Sequence, residues 1–88
     1  MKANSRYLVI LDFTYLDCEG EPVDQRRYLE GVYLTESLQK LPPKITHIQE
    51  EASVFTSEKV AEACALFIKE NKDLWYHTSC EVSILPLQ

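Results

Sequence analysis

Glycine and proline are scarce in this chain, two and four of its 88 residues, which weighs against disorder, linkers and low-complexity tracts. Long apolar runs are missing too. No stretch approaches the roughly 20 apolar residues that a membrane helix needs. In "MKANSRYLVILDF" the acid Asp12 interrupts the run before it builds the apolar centre of a secretion signal. Positive charge is also short, with nine Lys and Arg against 14 Asp and Glu for a formal net charge of -5. A diffuse basic footprint for nucleic acid or an anionic membrane is therefore absent, and Arg26-Arg27 is the one adjacent basic pair. Cysteine is sparse and odd in number: Cys18, Cys64 and Cys80 make no disulfide framework. Reduced thiols in a cytoplasmic protein are the expectation.

What is present is ordinary globular material. An apolar share of 45% with 10% aromatics supports a folded core, and 88 residues leave room for a single domain. In "RYLVILDFTYL", Arg6 to Leu16, the residues Tyr7, Val9, Leu11, Phe13 and Tyr15 alternate on one side. The other side carries Leu8 and Ile10, then Asp12 and Thr14. One face is buried throughout and the second is covered only at its beginning, which predicts a long central strand. "DCEGEPVDQ" (17–25) reads as a loop, because Gly20 and Pro22 sit among acids. "RRYLEGVYL" (26–34) reads as a second strand, antiparallel to the first, in which Gly31 marks a bulge or a close backbone approach.

The middle of the chain is less regular. "TESLQKLPP" is a connecting segment in which Thr35 is able to cap one turn through Lys40 before Pro42-Pro43 forbids more. "KITHIQEEASVF" predicts a third strand, irregular around 49–51. A helix then starts after Thr56 or Ser57 as N-cap, with Glu58 in the first turn where the helix dipole favours an acid. Val60, Ala63, Cys64, Phe67, Ile68 and Asn71 recur at helical spacing as the buried stripe. Lys59, Glu62, Lys69 and Glu70 line the other side, with Leu66 partly exposed among them. Asn71 predicts the helix end. "KDLWYHTS" reads as a loop, and "CEVSILPL" as the last strand, ended by Pro86. The expected architecture is α+β: a small, mainly antiparallel sheet in the order β-β-β-α-β, with one amphipathic helix on one face.

Candidate chemistries fail on spacing. His77 and Cys80 form a single H-x2-C pair, and structural zinc takes two such pairs, so no metal or other cofactor is expected. Cys64 lies mid-helix on the predicted apolar stripe, the setting of an inert thiol, and Cys18 stands among acids that disfavour a thiolate. If Asp17 opened a calcium loop, Pro22 would occupy the sixth position and no Glu would fall at the twelfth. No nucleophile elbow, phosphate loop or dinucleotide-binding glycine pattern occurs. The reading is a protein that is not an enzyme. Two surfaces remain for binding: the acidic loop Asp17, Glu19, Glu21 and Asp24, and the aromatic pair Trp75 and Tyr76. The pair either closes the core or anchors an interface, and closing the core is the favoured account in a domain this small.

The motif Glu51-Ala52-Ser53-Val54-Phe55-Thr56-Ser57, followed by a helix with Ala61, resembles a pattern in short proteins of phages and prophages of Gram-positive bacteria. There a strand ending in an A-x-x-F step meets a Ser or Asp cap, then an Ala-rich helix and a last strand. The resemblance covers residues 47 to 85, and its shared positions are structural. It implies a small accessory protein in the bacterial cytoplasm, of a class in which some members disable host defences such as CRISPR nucleases by binding them. With that implication, the acidic charge predicts a protein-binding factor without direct nucleic-acid or membrane binding. Its partner would be a bacterial host protein that handles nucleic acid. An inhibitor that mimics DNA would use Asp17, Glu19, Glu21 and Asp24, with Glu50 and Glu51. The rival is a structural protein that packs on a copy of itself through a sheet edge or Leu66.

Overall fold

Strand β1 (Arg6–Leu16) is the spine of the molecule, paired along both of its edges. The computed structural model describes residues 5–31 and 41–87. Within them follow β2 (Pro22–Gly31), β3 (Lys44–Thr46), a 3-10 turn at Gln49–Glu51, the helix α1 (Glu58–Trp75) and β4 (Ser79–Leu87). The four strands form one antiparallel sheet in the order β3-β2-β1-β4. The expected α+β architecture and chain order are those observed.

The alternation of β1 explains the layering. Val9 and Leu11 on its odd side are fully buried, and they cluster with Leu29, Ala61, Ala65, Ile68, Cys80 and Val82 under the helix. Phe13 and Tyr7 extend this core at its ends. On the even side Leu8 and Ile10 are buried, while Asp12 and Thr14 are half-exposed. Leu8 shares a shallow hollow with Gln49, Glu50, Ala52, Val54 and Leu87. The second face is thus covered at its beginning alone, as the order of apolar and polar residues requires.

The predicted loop 17–25 shrinks to a turn. Pro22 already pairs with Leu16, at a first strand position where its missing amide costs no ladder bond. The turn closes itself: Asp17 Oδ1 accepts from the amides of Glu19 (2.8 Å) and Glu21 (2.9 Å). Gly20 supplies the left-handed step, at φ +82°. Val23, Asp24 and Gln25 are strand residues, hidden from sequence reading because the polar run Asp24–Arg27 gives no apolar alternation after Val23. Of the two readings of Gly31 the bulge is the one observed, as a register shift between Leu29 and Gly31. Val32–Leu34 of the predicted second strand, and the predicted cap and turn at Thr35–Lys40, lie outside the described residues.

The third strand is shorter than expected, because its second half is used elsewhere. Beyond Ile10↔Tyr28, β2 turns towards β3 and leaves the start of β1. The segment Ser53–Phe55 fills the opening. Phe55 and Tyr7 exchange two backbone bonds of 2.8 Å, and the Ser53 amide donates to Leu29 O at 3.0 Å. The Ser53 hydroxyl donates to Glu30 O. The motif around Phe55 is a wedge between diverging strands.

Ser57 caps α1, its Oγ accepting from the Val60 amide at 3.4 Å. The buried row is Ala61, Ala65, Ile68 and Asn71, with Cys64 and Trp75 half-buried beside it. This row is rotated from the predicted stripe, and Val60, Ala63 and Phe67 face outwards. Two alanines let the helix backbone sit close on β1 and β4, and that proximity decides the face against residue size. Asn71 does not end the helix. Its Nδ2 donates to Phe67 O one turn back (2.8 Å), so the residue stays helical and α1 runs on to Trp75. Lys72 Nζ donates to Cys80 O and ties the last turn to β4. Pro86 does not end β4 either; it pairs with Tyr7 on an edge strand, where proline is tolerated.

Candidate protein-binding surface

The half of the sheet that the helix leaves bare carries the charged side chains. Cross-strand pairing places Arg26, Asp12 and Glu81 in one row, and Asp24, Thr14 and Ser79 in the next. Together Asp12, Thr14, Asp24, Arg26 and Glu81 line a shallow open basin. Arg26 holds Asp12 in a fork, Nε to Oδ1 at 2.8 Å and Nη2 to Oδ2 at 3.1 Å. Hydrogen bonding to Asp12 raises the guanidinium pKa further above its usual value, with the carboxylate's charge as the next cause. Thr14 Oγ1 donates to Asp24 Oδ1 at 2.8 Å. Glu81 stands directly opposite Asp12 with no cation of its own among the described residues. Like charges facing across a ladder weaken the pairing, and the fork of Arg26 on Asp12 offsets this while leaving Glu81 without a counter-charge among the described residues.

The predicted acidic set divides. Asp17 Oδ1 is held by the turn amides, and Asp17, Glu19 and Glu21 are all exposed at the hairpin tip. Asp24 belongs to the sheet face, beside Asp12 and Glu81. Of the two further acids, Glu51 Oε1 accepts from Thr46 Oγ1 at 3.1 Å, and Glu50 lies by Leu8 at the apolar end of the same face. Asp12 and Glu81 were absent from the predicted site. Their signal was in the sequence, since each is the acid on the polar side of an alternating strand, but the pairing that joins them spans most of the chain.

Trp75 and Tyr76 are the end of α1 and its C-cap, not a loop, and both pack against the core. Tyr76 meets Phe13 edge-on at 4.9 Å between centroids, and Trp75 lies 5.9 Å from Phe67. They close the core, the favoured of the two expectations. The Tyr76 hydroxyl is buried without a hydrogen-bond partner, and burial raises its pKa, with Cys80 adding to the effect.

The remaining reactive groups are dispersed. Cys80 is buried and His77 is exposed. Among the described residues no group of three or more His, Cys, Asp or Glu side chains is arranged to hold a metal ion. Burial raises the thiol pKa of Cys64 and of Cys80, which keeps both protonated. Among the described residues no helix is long and apolar enough to cross a membrane. No family model, curated protein or solved structure matches the chain.

Proposed function

We propose that this chain is a non-catalytic binding protein that engages a cationic surface of a partner protein with the open face of its sheet. The observation that carries this reading is the row Arg26–Asp12–Glu81, in which two carboxylates face each other and one guanidinium serves only one of them. A partner's Lys or Arg placed over Glu81 and Asp24 relieves that repulsion on binding. Glu19 and Glu21 at the hairpin tip extend the same negative field. Carboxylates spaced on a rigid sheet offer themselves where phosphates would sit. The partner class is therefore a bacterial protein that handles nucleic acid, in keeping with the resemblance of residues 47 to 85, and inhibition of a host defence nuclease is the specific form of the proposal.

The test measures DNA binding by a panel of purified bacterial nucleic-acid-handling proteins, RNA-guided nucleases among them, with and without this chain. Competition with DNA is expected, weakening at least tenfold between about 50 and 300 mM salt as charges are screened. Asp24→Lys with Glu81→Lys is expected to abolish it while the melting temperature stays at or above that of the wild type. Competition that ignores salt and survives both reversals overturns the proposal, and so does a panel without a single competitor.

A further inference from the structure

The helix has a second apolar side. Val60, Leu66, Phe67 and Leu74 are 51%, 56%, 40% and 67% exposed, and Ala63 is exposed between them. At about 100° per residue, Val60, Ala63, Phe67 and Leu74 form one lengthwise stripe, roughly a third of a turn or more from the buried alanine row. Leu66 widens it on the solvent side. The other large exposed apolar residues, Leu16, Leu41, Ile48 and Val54, stand on separate elements. The stripe repeats at three- and four-residue steps through Ala63, Phe67 and Glu70, as in the seam of paired helices.

The charges on this arc identify the occupant. Lys59 lies beside the N-terminal end of the stripe and Glu70 near its C-terminal end, with Asp73 further round on the Leu66 side, all exposed. None of the three has an ion-pair partner among the described residues. We infer that α1 is a dimerisation helix that pairs antiparallel with α1 of a second copy. In that arrangement each Lys59 meets Glu70 and Asp73 of the other copy, and Leu66 and Phe67 meet their equivalents near the two-fold axis. A parallel pair would set Lys59 against Lys59. Self-complementarity of this kind is what a two-fold interface requires. The inference is independent of the partner proposed above, since it uses the opposite side of the molecule. If both hold, the dimer presents two acidic sheet faces pointing away from each other.

The experiment is sedimentation velocity on the full chain up to about 1 mM, where even a complex of millimolar Kd is substantially formed. A concentration-dependent dimer is expected. Leu66→Glu should weaken it at least tenfold with the circular dichroism spectrum intact. Lys59→Glu alone, and Glu70→Lys with Asp73→Lys, should each weaken it; all three reversals together should restore it. That rescue distinguishes the antiparallel pair from loss of folding. A monomer at every concentration overturns the inference, as does a dimer indifferent to both the Leu66 change and the charge reversals.

Discussion

Tyr76 shows how a single side chain holds two roles in tension. Its ring closes the end of the core against Phe13 and Trp75, while its hydroxyl has been taken from water without a replacement partner. A buried hydroxyl left unpaired costs about 1–3 kcal/mol, so the ring stabilises and the oxygen detracts. Tyr76→Phe keeps the ring contacts and removes the oxygen. The expected outcome is a gain of about 1 kcal/mol, read as a rise in the urea midpoint at unchanged slope. A fall in the midpoint would mean that the hydroxyl is hydrogen-bonded in solution. Asp17 combines two roles as well, since its Oδ1 accepts from two turn amides while the side chain remains exposed.

At the scale of elements, α1 is where packing overrides size. Ala61 and Ala65 touch the sheet, whereas Val60 and Phe67, the larger residues, face outwards. Ala61→Leu is expected to cost about 1–3 kcal/mol by overpacking. Val60→Ala on the outer side should stay within about 0.5 kcal/mol. Denaturant titration of the two variants checks the order, and equal losses would restore the stripe predicted from sequence. The strands show what sequence does and does not reveal. β1 was legible because its apolar and polar residues change over once, at Asp12, and its burial follows that change. The first half of β2 was not, because Asp24, Gln25 and Arg26 lack any apolar alternation and owe their place to β1. The helix extends past Asn71 because its amide found a carbonyl within the helix, a choice that residue type alone leaves open. Of the candidate site, Asp24, Glu19 and Glu21 were legible as an acidic run. Asp12 and Glu81 were not, because they become neighbours only when the first and last strands pair.

Over the whole molecule the two sides differ in kind: apolar at the outer side of α1, acidic on the bare half of the sheet. Three weak acids, the buried Cys80 and the half-buried Cys64 and Tyr76, have pKa values raised by desolvation, and all therefore hold their protons more tightly folded than unfolded. Their contribution to stability is complete below the ordinary pKa and is lost above it, where the unfolded chain releases protons first. Stability should accordingly fall as pH rises through about 8.5–10, the ordinary range of thiols and phenols. Urea midpoints at neutral and alkaline pH check this, and a flat profile would show that these groups are solvated in the native state. The pairing of Arg6 with Leu87 sets the order of events during synthesis. Elongation at about 5–20 residues per second separates the two strands by roughly 4–16 s. Through that interval the nascent chain carries β1 with one ladder edge unsatisfied and Val9 and Leu11 lacking the cover of Val82 and Cys80. That open edge closes only once β4 has been made through Leu87 and has left the ribosome, so the sheet is completed after synthesis rather than during it.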